Sequence, residues 1–265
     1  MTTGTLVLII LVAILTQVGI AALIVLRRRR RQYRELDGGS GESNAHSAAQ
    51  TSMPPTAPTE AWTGFREFSV ERREFEDESR SVCSYYLVPC DGKPLPAFRP
   101  GQVLTFRLAV GDPAEGESKK VVRCYSLSDA PRPDHYRVSI KRVPAPLDHP
   151  EAPPGVSSGF FHDHVQVGDH LMVRATSGHF HLIEDEPLPI VLIGGGIGIT
   201  PMLSILNSVL EHGIGREIWL FYGVRNGSEH VMKEHLRALA DRHGNFHLHV
   251  CYSAPGAGDV EGVDY

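Results

Sequence analysis

The sequence predicts one transmembrane helix followed by an antiparallel β-barrel and then a partial α/β domain with a parallel sheet. Three patterns lead to this fold class: a long uncharged apolar segment near the N-terminus, six short stretches in which apolar and polar residues alternate, and three apolar runs separated by helical patterns. Alternation is typical of strands buried on one face, whereas strands that alternate with helices are typical of parallel sheets. The expected boundaries are an outer tail at 1–4, a transmembrane helix at 5–26, a basic stop and flexible linker at 27–63, the barrel at 64–185 and the α/β domain at 186–265.

The apolar segment at residues 5–26, TLVLIILVAILTQVGIAALIVL, carries no charge and has the length that spans a bilayer. A cleaved signal peptide would have a basic start and a shorter apolar core, and neither is present. Five consecutive arginines follow at residues 27–31, so the positive-inside rule places the rest of the chain in the cytoplasm. We therefore expect a single-pass cell-membrane protein, held to the membrane by this helix.

The composition of the remaining chain restricts its partners. Residues 37–61 are rich in Gly, Ser, Ala and Pro and lack apolar periodicity, which is typical of a flexible tether. Six of the 26 basic residues lie within residues 1–34, which leaves 20 basic against 31 acidic residues in the body. That acidic balance argues against nucleic-acid binding. The four cysteines form no CxxC pair, so we expect reduced thiols and no metal site.

A glycine-rich turn follows the first apolar run of the α/β domain. The stretch IGGGIGITPM places four glycines between a buried strand and a helix, with Thr200 suited to the N-cap and Pro201 to the first helical position. Glycines let the backbone approach a pyrophosphate, and the helix N-terminus provides free N–H groups. A tight turn without a ligand is the alternative, but the strand–turn–helix context favours a dinucleotide.

A second candidate site lies in VVRCYSLSDAP, residues 121–131. Alternation along a strand sends Arg123 and Tyr125 to the same face. Arginine offers a planar charged fork for phosphate oxygens, and tyrosine offers a flat surface with a hydroxyl. Either this is a solvated edge strand, or an anionic and flat ligand lies against it.

Together with the glycine turn, the quartet Arg-Cys-Tyr-Ser resembles the flavin motif of the ferredoxin–NADP reductase superfamily, and the chain from about residue 65 is similar to the reductase portion of flavohaemoglobins. FREF, PGQ, RCYSLSDAP, VSIKR, GVSSGFFHDHV and GGGIGITPM carry the resemblance, in this order. It implies FAD on the barrel and NAD(P)H on the glycine turn. The implied catalytic residues are Ser126, near flavin N5, and Thr200, near the nicotinamide. The implied cofactor-binding residues are Arg123, Cys124, Tyr125, Ser126, Ile140, Lys141, Gly155, Ser158, Gly195, Gly196, Ile197, Gly198, Ile199, Thr200, Pro201 and Arg225.

Two departures from the family pattern affect these expectations. Val103 stands where the family usually has a tyrosine, which removes one aromatic contact with the flavin. The chain ends after three parallel strands, without the later segment that completes the nicotinamide pocket in the family. The sequence is therefore either a fragment of a longer protein or has an unfinished sheet with an open edge.

Two other site readings are weaker. Residues 155–159 fit the G-x-S-x-G elbow of serine hydrolases, but a loop and not a strand precedes them. Three pairs of histidines spaced by two residues lack carboxylate or cysteine partners, so we expect them to be solvated or hydrogen-bonded and not to bind a metal.

The expected activity is an anchored flavin oxidoreductase that takes hydride from NAD(P)H and passes electrons to a separate acceptor, a small molecule or a haem or iron–sulfur protein. Arg225 could favour the 2′-phosphate of NADPH, but NADH users of the family carry such an arginine too, so we expect NADH. Two alternatives remain: the reductase component of a flavohaemoglobin-like nitric oxide dioxygenase, and a truncated FAD-binding module without turnover.

Overall fold

The computed structural model describes residues 61–111, 119–146, 148–183 and 186–265. The expected transmembrane helix at 5–26 and the linker up to residue 60 lie outside these ranges. Within the ranges that are described, no helix is long and apolar enough to cross a membrane.

The first domain comprises β1 Phe65–Phe75, β2 Val82–Pro89, β3 Val103–Val110, β4 Lys119–Ser126, β5 Tyr136–Lys141, α1 Val156–Asp163 and β6 His170–Ser177. Its six strands form one antiparallel sheet in the order β4-β3-β6-β1-β2-β5. An isolated bridge between Leu127, which follows β4, and Val138 of β5 connects the two outer strands. The predicted antiparallel barrel is therefore confirmed as a half-barrel sheet built from the six predicted stretches.

The barrel core follows from the alternation of its strands. In β3, Leu104, Phe106 and Leu108 are buried, while the residues between them are less buried or exposed. Helix α1 closes this core with Phe161, whose ring meets the Phe106 ring edge-on at 5.4 Å. Trp62 lies at the rim, where its indole N–H donates to the Val173 carbonyl. Burial of these rings supplies much of the stability of the domain, and removal of a ring such as Phe161 costs about 3–5 kcal/mol in comparable cores.

The second domain is a three-stranded parallel sheet in the order β7-β8-β9, as the sequence predicts. Helices pack Leu203, Leu206 and Leu236 into its core. The opposite sheet face, called here the open face, comprises Val191, Ile193, Trp219, Phe221, His247 and His249. Ile193 is 71% exposed there, and the Trp219 and His247 rings stack at 4.1 Å. The elements are β7 Ile190–Gly195, α2 Ile199–Glu211, β8 Ile218–Val224, α3 Lys233–Arg242 and β9 Phe246–Tyr252.

Three local predictions differ from the structure. The N-cap of α2 is Gly198 and not Thr200, because a single 3-10 turn at Gly196–Gly198 leads directly into the helix. Pro201 is consequently the third helical residue. At this position a backbone N–H has no partner within the helix, so proline loses no hydrogen bond there. The family resemblance also implies a short helix from Phe160 to His164, whereas helix α1 begins four residues earlier, at Val156.

Candidate cofactor site

Strand β4 presents Arg123 and Tyr125 on the face that also carries the buried Val121. The Tyr125 ring is half-buried and packs edge-on against Phe161 at 5.3 Å and Phe106 at 5.8 Å. Burial raises the pKa of Tyr125, while the nearby charge of Arg123 acts against this rise. The phenol therefore remains a hydrogen-bond donor at neutral pH, held rigidly on one side of the strand.

The Arg123 guanidinium is exposed, and it donates a hydrogen bond to the Val122 carbonyl at 2.8 Å. In the described part of the chain, no carboxylate forms an ion pair with it. A permanently charged fork is therefore available for an anion beside the Tyr125 ring. Cys124 points to the other face of β4, where its Sγ lies 3.3 Å from the Thr105 hydroxyl, and Ser126 is half-buried at the end of the strand.

The N-terminal half of α1 lies next to Tyr125, whose phenol is close to Ser157. Gly155 is its N-cap and provides no side-chain cap, so the first-turn N–H groups are not capped by a side chain. Ser158 Oγ is engaged within the protein: it donates to the Gly155 carbonyl at 3.1 Å and accepts from Val143 N at 3.2 Å. A Cβ on Gly155 would lie 2.6 Å from that oxygen, so only glycine fits. Ser158 thus shapes the loop through its side chain.

Ser157 is the residue of α1 that sequence reasoning missed. Its Oγ is buried yet makes no hydrogen bond with any described residue. It lies close enough to the Tyr125 phenol to influence its pKa, although the two hydroxyls are not in hydrogen-bonding geometry. A buried hydroxyl without a partner is costly, which points to a ligand atom beside it.

Strand β5 places its two candidate residues differently. Ile140 is 1% exposed and packs in the barrel core, so its side chain is not available to a ligand. Lys141 Nζ forms an ion pair at 2.8 Å with Glu229 of the α/β domain. The structure therefore gives Lys141 a role in joining the domains.

The glycine turn leaves space above the start of α2. Gly196 has φ +48°, a left-handed conformation that favours glycine. Apart from the adjacent residues of the turn, no atom in the described part of the chain lies within 4 Å of where a Cβ would be at Gly196 or Gly198. The Tyr222 hydroxyl donates to the Gly196 carbonyl at 3.2 Å, and the Thr200 hydroxyl donates to the Ile197 carbonyl at 3.0 Å. These two bonds fix the backbone of the turn, while the space beside Gly196 and Gly198 stays open.

The turn at Gly196–Gly198 lies against β5, which in turn lies beside both β4 and α1. The structure thus brings the two candidate sites together along β5. Gly195 is the last residue of β7, Ile197 lies within this turn and Ile199 is the first residue of α2. Arg225 is exposed just beyond the carboxyl end of β8, the edge at which parallel sheets bind ligands.

These features fit a flavin and a nicotinamide dinucleotide. A diphosphate near α1 would find three groups that lack a side-chain partner among the described residues: the Arg123 guanidinium, the N-terminus of α1 and the Ser157 hydroxyl. A flat ring would find the half-buried Tyr125 ring. The second dinucleotide would find an open glycine turn at the positive end of the α2 dipole.

The structure gives less support to a serine hydrolase elbow or to a metal site formed by the histidine pairs. Ser157 lies within a helix, and the described residues between β5 and Gly155 include no strand, so the hydrolase elbow is absent there. His162 bonds to the Ile140 carbonyl at 2.8 Å, and His247 stacks on Trp219. Possible metal ligands that do lie together are Glu67, Cys90 and His170, all on the exposed barrel surface, and they include none of the histidine pairs.

The comparisons with known proteins support the same cofactors, FAD and NAD(P)H. The oxidoreductase NAD-binding domain family matches residues 192–262. A flavohemoprotein of Halalkalibacterium halodurans is 39% identical over 198 residues, which is 75% of this chain and 46% of that protein. The chain spans about half the length of the curated flavohemoproteins it matches.

Two solved structures share the fold. The flavohem-like FAD/NAD-binding domain of nitric oxide dioxygenase from Vibrio cholerae is 32% identical with a TM-score of 0.65, over 74% of this chain and 77% of that one. Phthalate dioxygenase reductase is 25% identical with a TM-score of 0.56, over 75% and 55% of the two chains. The chain therefore belongs to the ferredoxin–NADP reductase-like FAD/NAD-binding reductases of the flavohaemoglobin type, a family of FAD-dependent NAD(P)H oxidoreductases.

Proposed function

We propose that this chain is a membrane-anchored reductase that takes hydride from NADH and delivers electrons to a haem or iron–sulfur acceptor on another protein or domain. Bound FAD would supply the conversion of a two-electron donor into single electrons. The observation that carries the proposal is the position of β5, which lies against the glycine turn on one side and beside β4 and α1 on the other.

The roles of the chain's own residues follow from their contacts. Arg123, the α1 N-terminus and Ser157 would bind the FAD diphosphate, and Tyr125 would pack against the flavin end. Ser126 is the half-buried hydroxyl at the end of β4, suited to hydrogen-bond the flavin ring. Thr200 is 5% exposed and its hydroxyl proton is given to Ile197, so it would orient the nicotinamide by shape and as a hydrogen-bond acceptor.

The decisive experiment is an anaerobic titration of the FAD-loaded protein with NADH, followed by absorbance. We expect the yellow colour to bleach with one equivalent of NADH. Protein that binds FAD but is not bleached by NADH or NADPH would instead be a flavin-binding module without turnover. Protein that refuses FAD would contradict the proposal altogether.

The preference for NADH is tested at Arg225. If this exposed arginine does not bind a 2′-phosphate, Arg225→Ala will change the KM for NADH and NADPH by a similar small factor. A selective loss of NADPH use, by tenfold or more, would indicate that NADPH is the natural donor.

A second candidate function is the reductase component of a nitric oxide dioxygenase. It is favoured by the similarity to the flavohem-like domain of the Vibrio cholerae enzyme and to flavohemoproteins. Reduction of a separately purified globin by this protein and NADH, accompanied by nitric oxide consumption, would support it. A globin that stays oxidised while a [2Fe–2S] protein is reduced would exclude it.

Anchoring rests on the apolar segment at residues 5–26 and the arginines after it. We expect the full chain to remain with membranes after a carbonate wash and to resist protease added outside intact cells. A chain without residues 1–60 should be released. Release of the full chain by the wash would contradict the anchor.

A further inference from the structure

A buried hydrogen-bonded cluster joins the end of the flavin strand to the helix of the glycine turn. Asp129 lies three residues after Ser126 and is 8% exposed. Its backbone carbonyl accepts from the Ser204 hydroxyl at 2.8 Å, and its carboxylate accepts from the Asn207 amide at 2.8 Å. Asn207 is 4% exposed and Ser204 is completely buried, so both bonds are shielded from water.

The two partners of Asp129 lie on a particular face of α2. Residues 200, 204 and 207 are separated by four and three positions, which places them along one side of a helix. Thr200 therefore faces the same direction as the two residues that Asp129 holds. A rotation of α2 about its axis, or a slide along it, would break both bonds and move Thr200 together with the glycine turn.

The cluster is also anchored on its barrel side. Asp129 Oδ1 accepts from Ala130 N at 2.8 Å, and Arg137 binds the carbonyl and the hydroxyl of Ser128 next to it. Burial acts against ionisation of Asp129, but the charge of Arg137 and the hydrogen bond from Asn207 outweigh it, so the pKa of Asp129 lies below its ordinary value. The carboxylate of Asp129 thus stays charged and fixed. The side-chain oxygen of Asn207 forms a further hydrogen bond, at 3.2 Å, with Nε2 of His235 in α3.

We propose that Asp129 is a positioning residue for hydride transfer: through Ser204 and Asn207 it sets the placement of the glycine-turn helix relative to the end of β4. Hydride transfer is sensitive to donor–acceptor distance, and misplacement by about 1 Å can reduce such rates by roughly 100-fold. The inference rests on the proposed function, because it concerns the same two cofactors.

The test compares three variants with a matched control. Ser204→Ala and Asn207→Ala each remove one bond to Asp129, and Asp129→Asn keeps the shape while removing the charge. The control is Glu211→Gln, which removes the ion pair between Arg132 and Glu211 across the same two domains. Arg132 also lies 3.5 Å from Asp129, and this contact and the bonds from Ser204 and Asn207 remain in the control. Ser204→Ala is the mildest change and keeps the proposal testable if Asn207→Ala does not fold.

Three measurements are made on each FAD-loaded variant. We expect the rate of flavin reduction at saturating NADH to fall at least tenfold in Asn207→Ala, with the NADH dissociation constant changed less than threefold. The long-wavelength charge-transfer band of nicotinamide stacked on flavin should weaken. Without nucleotide, amide hydrogen exchange over residues 196–204 should speed up, which is a readout independent of activity. Glu211→Gln should match the parent protein in all three.

The outcomes separate this inference from the proposed function. If the parent protein is bleached by NADH but the three variants reduce flavin within twofold of it, Asp129 holds the domains without positioning the reactants and the inference fails. Equal losses in rate, nucleotide affinity and unfolding midpoint would likewise show a merely structural role. If the parent protein itself is not bleached, the proposed function fails and this inference falls with it.

Discussion

Replacement of Arg123 by alanine tests the flavin site at its most exposed charged group. The guanidinium bonds only to the neighbouring Val122 carbonyl in the described structure, so its loss should change the free energy of unfolding by less than about 0.5 kcal/mol. A hydrogen bond to a charged group is worth about 1.5–3 kcal/mol. Since about 1.4 kcal/mol corresponds to a factor of ten, we expect the FAD dissociation constant to rise roughly 10- to 150-fold.

The assay is titration of flavin-free protein with FAD, followed by quenching of flavin fluorescence. Lys120→Ala is the matched control, because Lys120 is an exposed cation on the same strand but on its opposite face. Arg123→Lys should give an intermediate affinity, since lysine keeps the charge and lacks the planar fork. If Arg123→Ala binds FAD within twofold of the parent protein, or if Lys120→Ala is equally impaired, the diphosphate does not lie on this face of β4.

Three further predictions concern single residues. Ser157→Ala should leave the unfolding midpoint of the flavin-free protein unchanged or slightly higher, because its hydroxyl has no partner among the described residues, and should weaken FAD binding about 2- to 12-fold. Ser158→Ala should instead cost about 1 kcal/mol of stability and lower the midpoint by about 2–4 °C, because Ser158 Oγ is hydrogen-bonded within the protein. Gly196→Ala should lower the free energy of unfolding by about 1–2 kcal/mol in urea titrations, because alanine is strained at φ +48°. It should also weaken nucleotide binding, because its methyl group would occupy the open side of the turn. Unchanged nucleotide binding would place the nucleotide elsewhere. Burial lowers the pKa of His230 from 6.5 to about 4, so the unfolded chain binds more protons than the folded protein between these pH values. The free energy of unfolding should therefore decline by up to about 3 kcal/mol as the pH falls through this window. His230→Gln should show a shallower decline.

The strands of both domains could be predicted because their residues alternate or form apolar runs with glycine and proline between them. Local periodicity survives in the fold wherever one face of a strand is buried, as in Leu104, Phe106 and Leu108 of β3. The glycine turn was likewise recognisable, because its spacing is dictated by backbone conformation. Thr200 was misjudged as the N-cap because the 3-10 turn before α2 is set by contacts such as the Tyr222 bond to Gly196, which involve a distant strand.

The parts of the site that could not be predicted depend on contacts distant in sequence. Asp129 and Asn207 are separated by 78 residues, and the sequence around either residue does not indicate that the two side chains form a hydrogen bond. The ion pair between Lys141 and Glu229, which are 88 residues apart, could not be predicted either, and it links the two domains next to the expected cofactor site. The importance of Ser157 over Ser158 depends on which hydroxyl finds a partner, and this is settled only when α1 and Val143 are packed together.

The chain has two tryptophans, and the fold assigns one to each domain. Trp62 lies at the barrel rim with its N–H bound to Val173, and Trp219 lies on the open face, stacked on His247. Each domain therefore carries a single tryptophan in a distinct environment. With Trp62→Phe and Trp219→Phe, emission from either domain can be followed alone, and coincident denaturation curves would show that the domains melt as one cooperative unit.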